Sequence, residues 1–234
     1  MGRKGKKYLE VLKRVDIVKN YELEEAIKIV KDNSYAGFDE SIDISIKLGI
    51  DPRKADQMVR GSVILPHGIG KEVRVLVFAK GEKEKEARES GADFIGAEDI
   101  IDKIAGGWVG FDKAVATPDM MSLVGKIGKM LGPRGLMPNP KVGTVTFEIG
   151  RVVKELKTGK VEYRADKTGI VHVPVGRVSF TEEKLFQNII SLLDVIIKVK
   201  PPSSKGVYLR GIVIAATMGH GIKIDPLNVR GILK

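Results

Sequence analysis

The three histidines, His67, His172 and His220, are the first residues to test for chemistry. They stand far apart in the chain, and none has the H-E-x-x-H spacing that sets two imidazoles on one helix face for a metal. The chain has no cysteine, which excludes disulfides, thiolate zinc and a cysteine nucleophile. No G-x-S-x-G elbow presents a serine, and scattered acids such as Asp51, Asp93 and Asp99 read as caps or solvated charges. No catalytic residue, metal ligand or cofactor is expected. What remains is the chemistry of contact. Residues 206–222, GVYLRGIVIAATMGHGI, begin as a strand of β-branched and aromatic types and end in Thr217-Met218-Gly219-His220-Gly221. A hydroxyl, a flexible thioether and two glycines let backbone come close to another molecule. The bland reading is a strand-to-strand turn with nothing bound. Phe38, just outside a strand, is either core or a stacking platform. Residues 132–141, GPRGLMPNPK, are stiffened by prolines, bent by glycines and ringed by Lys129, Arg134 and Lys141. They form either a rigid structural loop or a loop that contacts phosphate.

The bulk numbers favour an anionic partner. The formal net charge is +10 over 234 residues, and 43% hydrophobic content is enough for a core. Nucleic acid is the first candidate and an acidic membrane surface the second. The basic N-terminus, MGRKGKKYLE, is followed by no apolar run, and no stretch approaches the roughly 20 apolar residues of a span. The helices carry mixed charge rather than one cationic face, so no membrane partner is expected.

These residues need elements to hold them. Residues 1–7 read as a loose basic arm, and 8–18 and 21–30 carry helical spacing. In SIDISIKLGID, Ile42, Ile44, Ile46 and Leu48 alternate with Ser41, Asp43, Ser45 and Lys47, which predicts a strand with one buried and one polar face. Residues 51–60 read as a connecting loop and 61–65 as a second strand. The texture then changes. VRVLVFA at 73–79 is nearly continuous and predicts a strand covered on both sides. Helices follow at 82–90 and 97–105 and strands at 92–95 and 114–117. Thr117 reads as the cap of a further helix running to about Lys129. From about residue 160 the first texture returns: strands at 161–164 and 170–175 around Asp166-Lys167-Thr168-Gly169, then a capping box at Ser179-Phe180-Thr181-Glu182 that opens a helix with Leu185, Ile189, Leu192, Leu193 and Ile196 inward. Beyond the 206–222 stretch the chain reads as a polar tail. The fold class is α/β: an α+β domain built from both chain ends, 1–67 and 160–234, with a Rossmann-like open α/β domain inserted at 68–159.

A wound parallel sheet invites a nucleotide. Yet the first strand-to-helix turn, Ala79-Lys80-Gly81-Glu82-Lys83-Glu84, opens its helix with carboxylates, the wrong sign for pyrophosphate. G-x-G-x-x-G is missing at that turn and G-x-x-x-x-G-K-[ST] from the whole chain. A nucleotide-dependent enzyme on the inserted domain stands as the alternative reading.

Several segments in order resemble one family, the L-one stalk proteins of the large ribosomal subunit: Phe38-Asp39-Glu40, Leu48-Gly49-Ile50-Asp51-Pro52-Arg53, Asp56-Gln57-Met58-Val59-Arg60-Gly61, Leu65-Pro66-His67-Gly68, the run from Leu131 to Lys141, Asp166-Lys167-Thr168-Gly169 and Thr217-Met218-Gly219. The resemblance covers nearly the whole chain. It implies a two-domain, non-enzymatic protein of the ribosome, cytoplasmic and monomeric when free, with a two-strand hinge. Its implied partners are the large subunit, a junction of 23S ribosomal RNA, exit-site tRNA and the chain's own operon mRNA. It also implies release of deacylated tRNA and repression of that message. By position it assigns the main RNA surface to Phe38, Ser41, Lys47, Arg164, Asp166, Lys167, His172, Thr217, Met218 and Gly219, with Lys129, Arg134 and Lys141 as a secondary contact. Two residues depart from the family pattern: Gly37, where some relatives carry lysine, and His220, where proline is frequent.

Overall fold

A computed structural model describes residues 5–16 and 18–233. In chain order these form α1 (Lys6–Arg14), α2 (Leu23–Asp32), β1 (Ser41–Leu48), β2 (Arg60–Ile64), β3 (Val75–Phe78), α3 (Glu82–Glu89), β4 (Phe94–Gly96), α4 (Glu98–Ala105), β5 (Lys113–Ala116), α5 (Met121–Val124), α6 (Gly128–Leu131), α7 (Ile149–Thr158), β6 (Lys160–Arg164), β7 (Ile170–Arg177), α8 (Glu182–Lys198), β8 (Leu209–Ala216), β9 (Ile222–Ile224) and α9 (Pro226–Ile232). The mixture agrees with the α/β expectation. The chain divides into two compact units, Met1–Gly70 with Val161–Lys234, and Lys71–Lys160.

The unit made from the chain ends is built on an antiparallel sheet in the order β7-β1-β8-β9. β1 is its centre. Ile42, Ile44, Ile46 and Leu48 are buried, as period-two alternation requires, and α2 and α8 supply Leu23, Ile27, Leu185, Ile189, Leu192, Leu193 and Ile196 to the same core. The other face carries Asp43, Ser45 and Lys47. β7 places Pro174, His172 and Ile170 beside them, and β8 places Ala215, Val213 and Gly211. Directly paired residues share a face, so the polar row of β1, with His172 beside it, runs between flanking rows that also carry Pro174, Ile170, Ala215 and Val213. β2 and β6 form a separate two-stranded sheet.

The other unit holds a parallel sheet in the order β4-β3-β5. All four residues of β3 are buried. Val75 and Val77 pack with α3 and α7, while Leu76 and Phe78 pack with α4, Met120, Val124, Ile127 and Leu131. Both faces are covered, which explains the unbroken apolar run.

Five local expectations need correction. The helix expected from Thr117 to about Lys129 is a chain of short pieces: a 3₁₀ turn at Pro118–Met120, α5, a 3₁₀ turn at Gly125–Ile127, then α6. Thr117 makes no side-chain cap bond. Gly125 and Gly128 interrupt the run, and glycine weakens a helix by about 1 kcal/mol relative to alanine. The capping box at 179–182 is displaced. Thr181 caps α8, its hydroxyl accepting from the Lys184 amide, while Ser179 bonds Asp39. The polar tail contains α9, capped by Asp225 with Pro226 in the first turn. No helix is expected from sequence at 149–158, yet α7 is there, burying Ile149, Val152, Val153 and Leu156. Residues 1–4 of the basic arm lie outside the described residues, and Lys6 and Lys7 belong to α1.

Candidate nucleic-acid interface

Thr217 follows the last residue of β8, opposite Ser41, and alternation puts it on the polar face. Its hydroxyl accepts from the Ser41 amide at 3.0 Å and donates to the Ser41 carbonyl at 3.2 Å. The hydroxyl hydrogen is therefore committed, and what Thr217 offers outward is a lone pair and a methyl group. Met218 is half-exposed at 51%. Its backbone is held at both ends: the amide donates to Glu40 Oε2 at 2.8 Å, and the carbonyl accepts from the Tyr35 hydroxyl at 2.6 Å. Gly219 closes the turn with its amide on the Ala216 carbonyl. Neither Gly219 nor Gly221 has the left-handed backbone that only glycine takes easily. Space explains both. A Cβ on Gly221 would sit 2.9 Å from Val213 Cγ1, and one on Gly219 3.3 Å from Ala216 Cβ.

Glu40 organises this end of the sheet. It is 1% exposed, and its carboxylate accepts from the amides of Tyr35, Ala36 and Met218. A buried carboxylate with three amide donors is well satisfied, and each such charge-assisted bond is stronger than a neutral one. Asp39 holds the neighbouring position, accepting from the amide and hydroxyl of Ser179, with Arg177 donating to its carbonyl. Phe38 stands on this braced segment with 57% of its surface exposed, which rules out the core reading. At Gly37 a Cβ would meet open space, so glycine is not required there by crowding.

At the opposite end of β1 the Asp166–Gly169 turn meets Leu48, whose amide donates to the Gly169 carbonyl. Asp166 accepts from the amides of Thr168 and Ile170 and from the Thr168 hydroxyl. These bonds, the Ile170 amide first, pull its carboxyl down to about 2. Asp166 thus shapes the turn chiefly through Oδ1, while Oδ2 only shares the Thr168 hydroxyl. His172 Nδ1 is 2.9 Å from Ser45 Oγ, and its Nε2 is 3.8 Å from Asp166. Lys47, Arg164 and Lys167 are exposed and make no ion pair among the described residues. Asp43 is a lone carboxylate on the same face. Desolvation by the neighbouring strands raises its pKa, partly offset by His172.

The structure therefore gathers all ten main-site residues on one unit, in two groups at the ends of β1: Phe38, Ser41, Thr217, Met218 and Gly219 at one, Lys47, Arg164, Asp166, Lys167 and His172 at the other. Ser41 and Lys47, the members of each group on β1, stand six strand positions apart, about 20 Å at the usual rise. Sequence reasoning misses Glu40 and Tyr35 as supports, and also Lys223, which is paired with Val213. The alternation Ile222-Lys223-Ile224 carries the signal for Lys223.

The 129–141 segment belongs to the other unit. Lys129, Arg134 and Lys141 are exposed, with no ion pair among the described residues. The loop is rigid. Asn139 accepts from the Lys141 amide, and Thr144, 3% exposed, ties back to Asn139 through both amide and hydroxyl. Gly135 and Gly143 take φ of 69° and 75° and turn the chain. After β3, Gly81 leads into a helix whose first turn holds Glu82 and Glu84, which would repel a nucleotide phosphate. His67 is structural: its ring meets Gln187, and its amide donates to Asn188, a fully buried amide whose nitrogen donates to Gly68 and Val175. Among the described residues no three His, Asp or Glu side chains gather to hold a metal, and no helix is long and apolar enough to cross a membrane.

Two full-length relatives are similar to this chain. The large ribosomal subunit protein uL1 of Desulfosudis oleivorans is 56% identical over 234 residues, and that of Syntrophobacter fumaroxidans 58% over 233, each covering 100% of both chains. The sequence pattern of one family, described as the ribosomal protein L1p/L10e family, matches residues 30–220. The matched span takes in both groups of the polar face and the 129–141 loop. The chain belongs to the ribosomal protein L1p/L10e family and is a structural, non-enzymatic protein of the large ribosomal subunit.

Proposed function

We propose that this chain binds a helical junction of 23S ribosomal RNA with the polar face of the unit built from its two ends. In this reading it forms the mobile stalk beside the tRNA exit site and assists release of deacylated tRNA. A similar structure in its own operon mRNA competes for the same face, so that unassembled, monomeric protein represses its own translation. The carrying observation is the double anchoring of Met218 by Glu40 and Tyr35. It holds a thin edge of Thr, Met and Gly exposed and stiff before any ligand arrives. A-form RNA hides its major groove and offers a shallow minor groove lined with 2′-hydroxyls. A flat edge can lie there, Thr217 accepting from a 2′-hydroxyl and Met218 packing on a sugar. Phe38 stacks on a base, Ser41 and His172 add polar contacts, and Asp166 keeps its turn in shape. Lys47, Arg164 and Lys167 supply the salt-dependent phosphate term. Lys129, Arg134 and Lys141 form a second, weaker phosphate contact from a separately folded inserted domain.

Titration of a 23S junction fragment and a nonspecific duplex, each over a range of salt, tests this. Thr217→Val and Met218→Ala are expected to weaken the specific complex by roughly 1–3 kcal/mol and to leave the duplex unchanged. Wild-type affinity in both variants would remove the edge from the site. Excising residues 71–160 is expected to leave most of the specific affinity. Its loss from a folded deletion would move the main site to the inserted domain.

A further inference from the structure

Beside the Thr217–Met218 edge lies an open groove of about 640 Å³. One wall is Lys6, Lys7 and Tyr8 of the first turn of α1, and the other is Tyr35, Thr217 and Met218. The α1 wall is fastened to the edge. The Tyr8 hydroxyl is 2.8 Å from His220 Nδ1, and the two rings meet edge to face, 5.8 Å between centroids at 74°. Val11, one turn on from Tyr8 along the same face of α1, and Val15 just past its end are buried in the same core as the sheet. Lys6 and Lys7 are exposed and make no ion pair among the described residues.

We propose that this groove is a nucleotide-sized extension of the RNA surface, and that the Tyr8–His220 contact is the latch that sets its cationic wall. The inference rests on the RNA reading of the polar face and names a further part of it. Two tyrosines line the groove, and both hydroxyls are already engaged within the protein, Tyr8 with His220 and Tyr35 with the Met218 carbonyl. They offer ring surface, as Met218 offers its thioether. Ring and thioether surface suits a sugar or an unstacked base, and a pair of unneutralised ammoniums suits the phosphate attached to it. An acidic peptide would use the lysines but would leave the ring surface idle. The occupant is therefore a single-stranded nucleotide of the bound RNA, adjacent to the helical part that lies on the Thr217–Gly219 edge.

The test uses the full chain and the 23S junction fragment, comparing wild type, Lys6→Gln/Lys7→Gln, Tyr8→Phe, the triple combination and Thr217→Val by anisotropy at several salt concentrations. Glutamine keeps helix propensity close to that of lysine, so α1 is retained, and circular dichroism checks it. The lysine pair is expected to lower the slope of log affinity against log salt by about 2 and to weaken binding several-fold. Tyr8→Phe gives a smaller loss, and adding it to the lysine pair gives no further loss, because the latch acts through the lysines. If Thr217→Val weakens binding while the lysine pair keeps the wild-type slope, the groove is not a nucleotide site and the RNA reading survives. If Tyr8→Phe equals wild type while the lysines matter, the latch is overturned. If wild type shows no preference for the junction fragment over duplex, the RNA reading itself fails and this inference with it.

Discussion

The two sheets of this chain meet water differently, and in the RNA reading proposed above that difference divides the work between the units. In the antiparallel sheet, β1 buries one side and leaves Asp43, Ser45 and Lys47 on the other. In the parallel sheet, β3 is buried on both sides. A half-covered sheet is itself a platform, and its contacts are fixed by backbone register. A sheet covered on both sides cannot itself meet a partner, and the proposed contact on this unit is the 129–141 segment with its bare cations. The first arrangement can discriminate between partners by shape. The second can contribute charge, which positions RNA without reading it.

The largest effect expected from breaking this contrast is at Glu40. Glu40→Ala removes the acceptor for three amides at the corner of the platform. A buried donor left unpaired costs about 1–3 kcal/mol, and because these three amides are only part-buried and can turn to water, denaturant unfolding should show a total loss of about that size in the end-built unit. Affinity for the junction fragment should fall at least tenfold, since the Met218 turn loses an anchor. A variant that is less stable but binds with wild-type affinity would mean that the edge does not depend on Glu40 for its shape.

A paired substitution sharpens the comparison. Val77→Ala opens space in the doubly covered sheet and is expected to cost about 2 kcal/mol of stability with RNA affinity unchanged. Ser45→Ala on the open face should stay within about 0.5 kcal/mol of wild-type stability. It should nonetheless weaken RNA binding several-fold, because Ser45 positions His172. A reversal, with binding moved by Val77→Ala and not by Ser45→Ala, would end the division of labour argued from the two sheets.

How far these features can be read from sequence depends on the range of the interaction. β1 is legible because its alternation is local, and β3 because a run with no polar residue has no side left for water. α7 is equally local, with Ile149, Val152, Val153 and Leu156 at helical spacing, but it follows a stretch rich in proline and glycine that breaks any longer window. The exposure of Phe38 is not legible, because a turn residue beside a strand can face either way. Nor is the part played by Glu40, which reaches Met218 across 178 positions of chain. A glutamate following an aspartate looks like a solvated charge until the fold closes around it. The resemblance carried the positions of the candidate site, and it took packing to show that Thr217 and Asp166 spend much of their bonding capacity inside the protein.

Asp43 gives a smaller and opposite effect. It is the carboxylate of the open face, and desolvation raises its pKa. An acid whose folded pKa is raised destabilises the fold once ionised, a penalty absent well below pH 4 and fully present at neutral pH. Asp43→Asn should therefore stabilise the unit slightly at pH 7 and leave stability unchanged at pH 3. Removing a negative charge from the proposed RNA-binding face should also raise RNA affinity a few-fold at low salt, and less at high salt as screening grows. Unchanged affinity at low salt would place the RNA away from the β1–β7–β8 rows.

The smallest effect is the titration of Asp166. Three groups of its own turn donate to its carboxylate, and its pKa is lowered to about 2. A depressed acid contributes stability that is present above its unfolded value, about 3.9, and is lost as pH falls through the folded value. The turn should hold its shape at pH 4, where an unbonded aspartate would be half protonated, and loosen only near pH 2. The amide shifts of Thr168 and Ile170 report this directly, and a midpoint near 2 is expected. A midpoint near 4 would mean that the carboxylate is not tied into its own turn. Asp166 would then have acceptors free to face the ligand, and the two ends of β1 would resemble each other less in how firmly they are built.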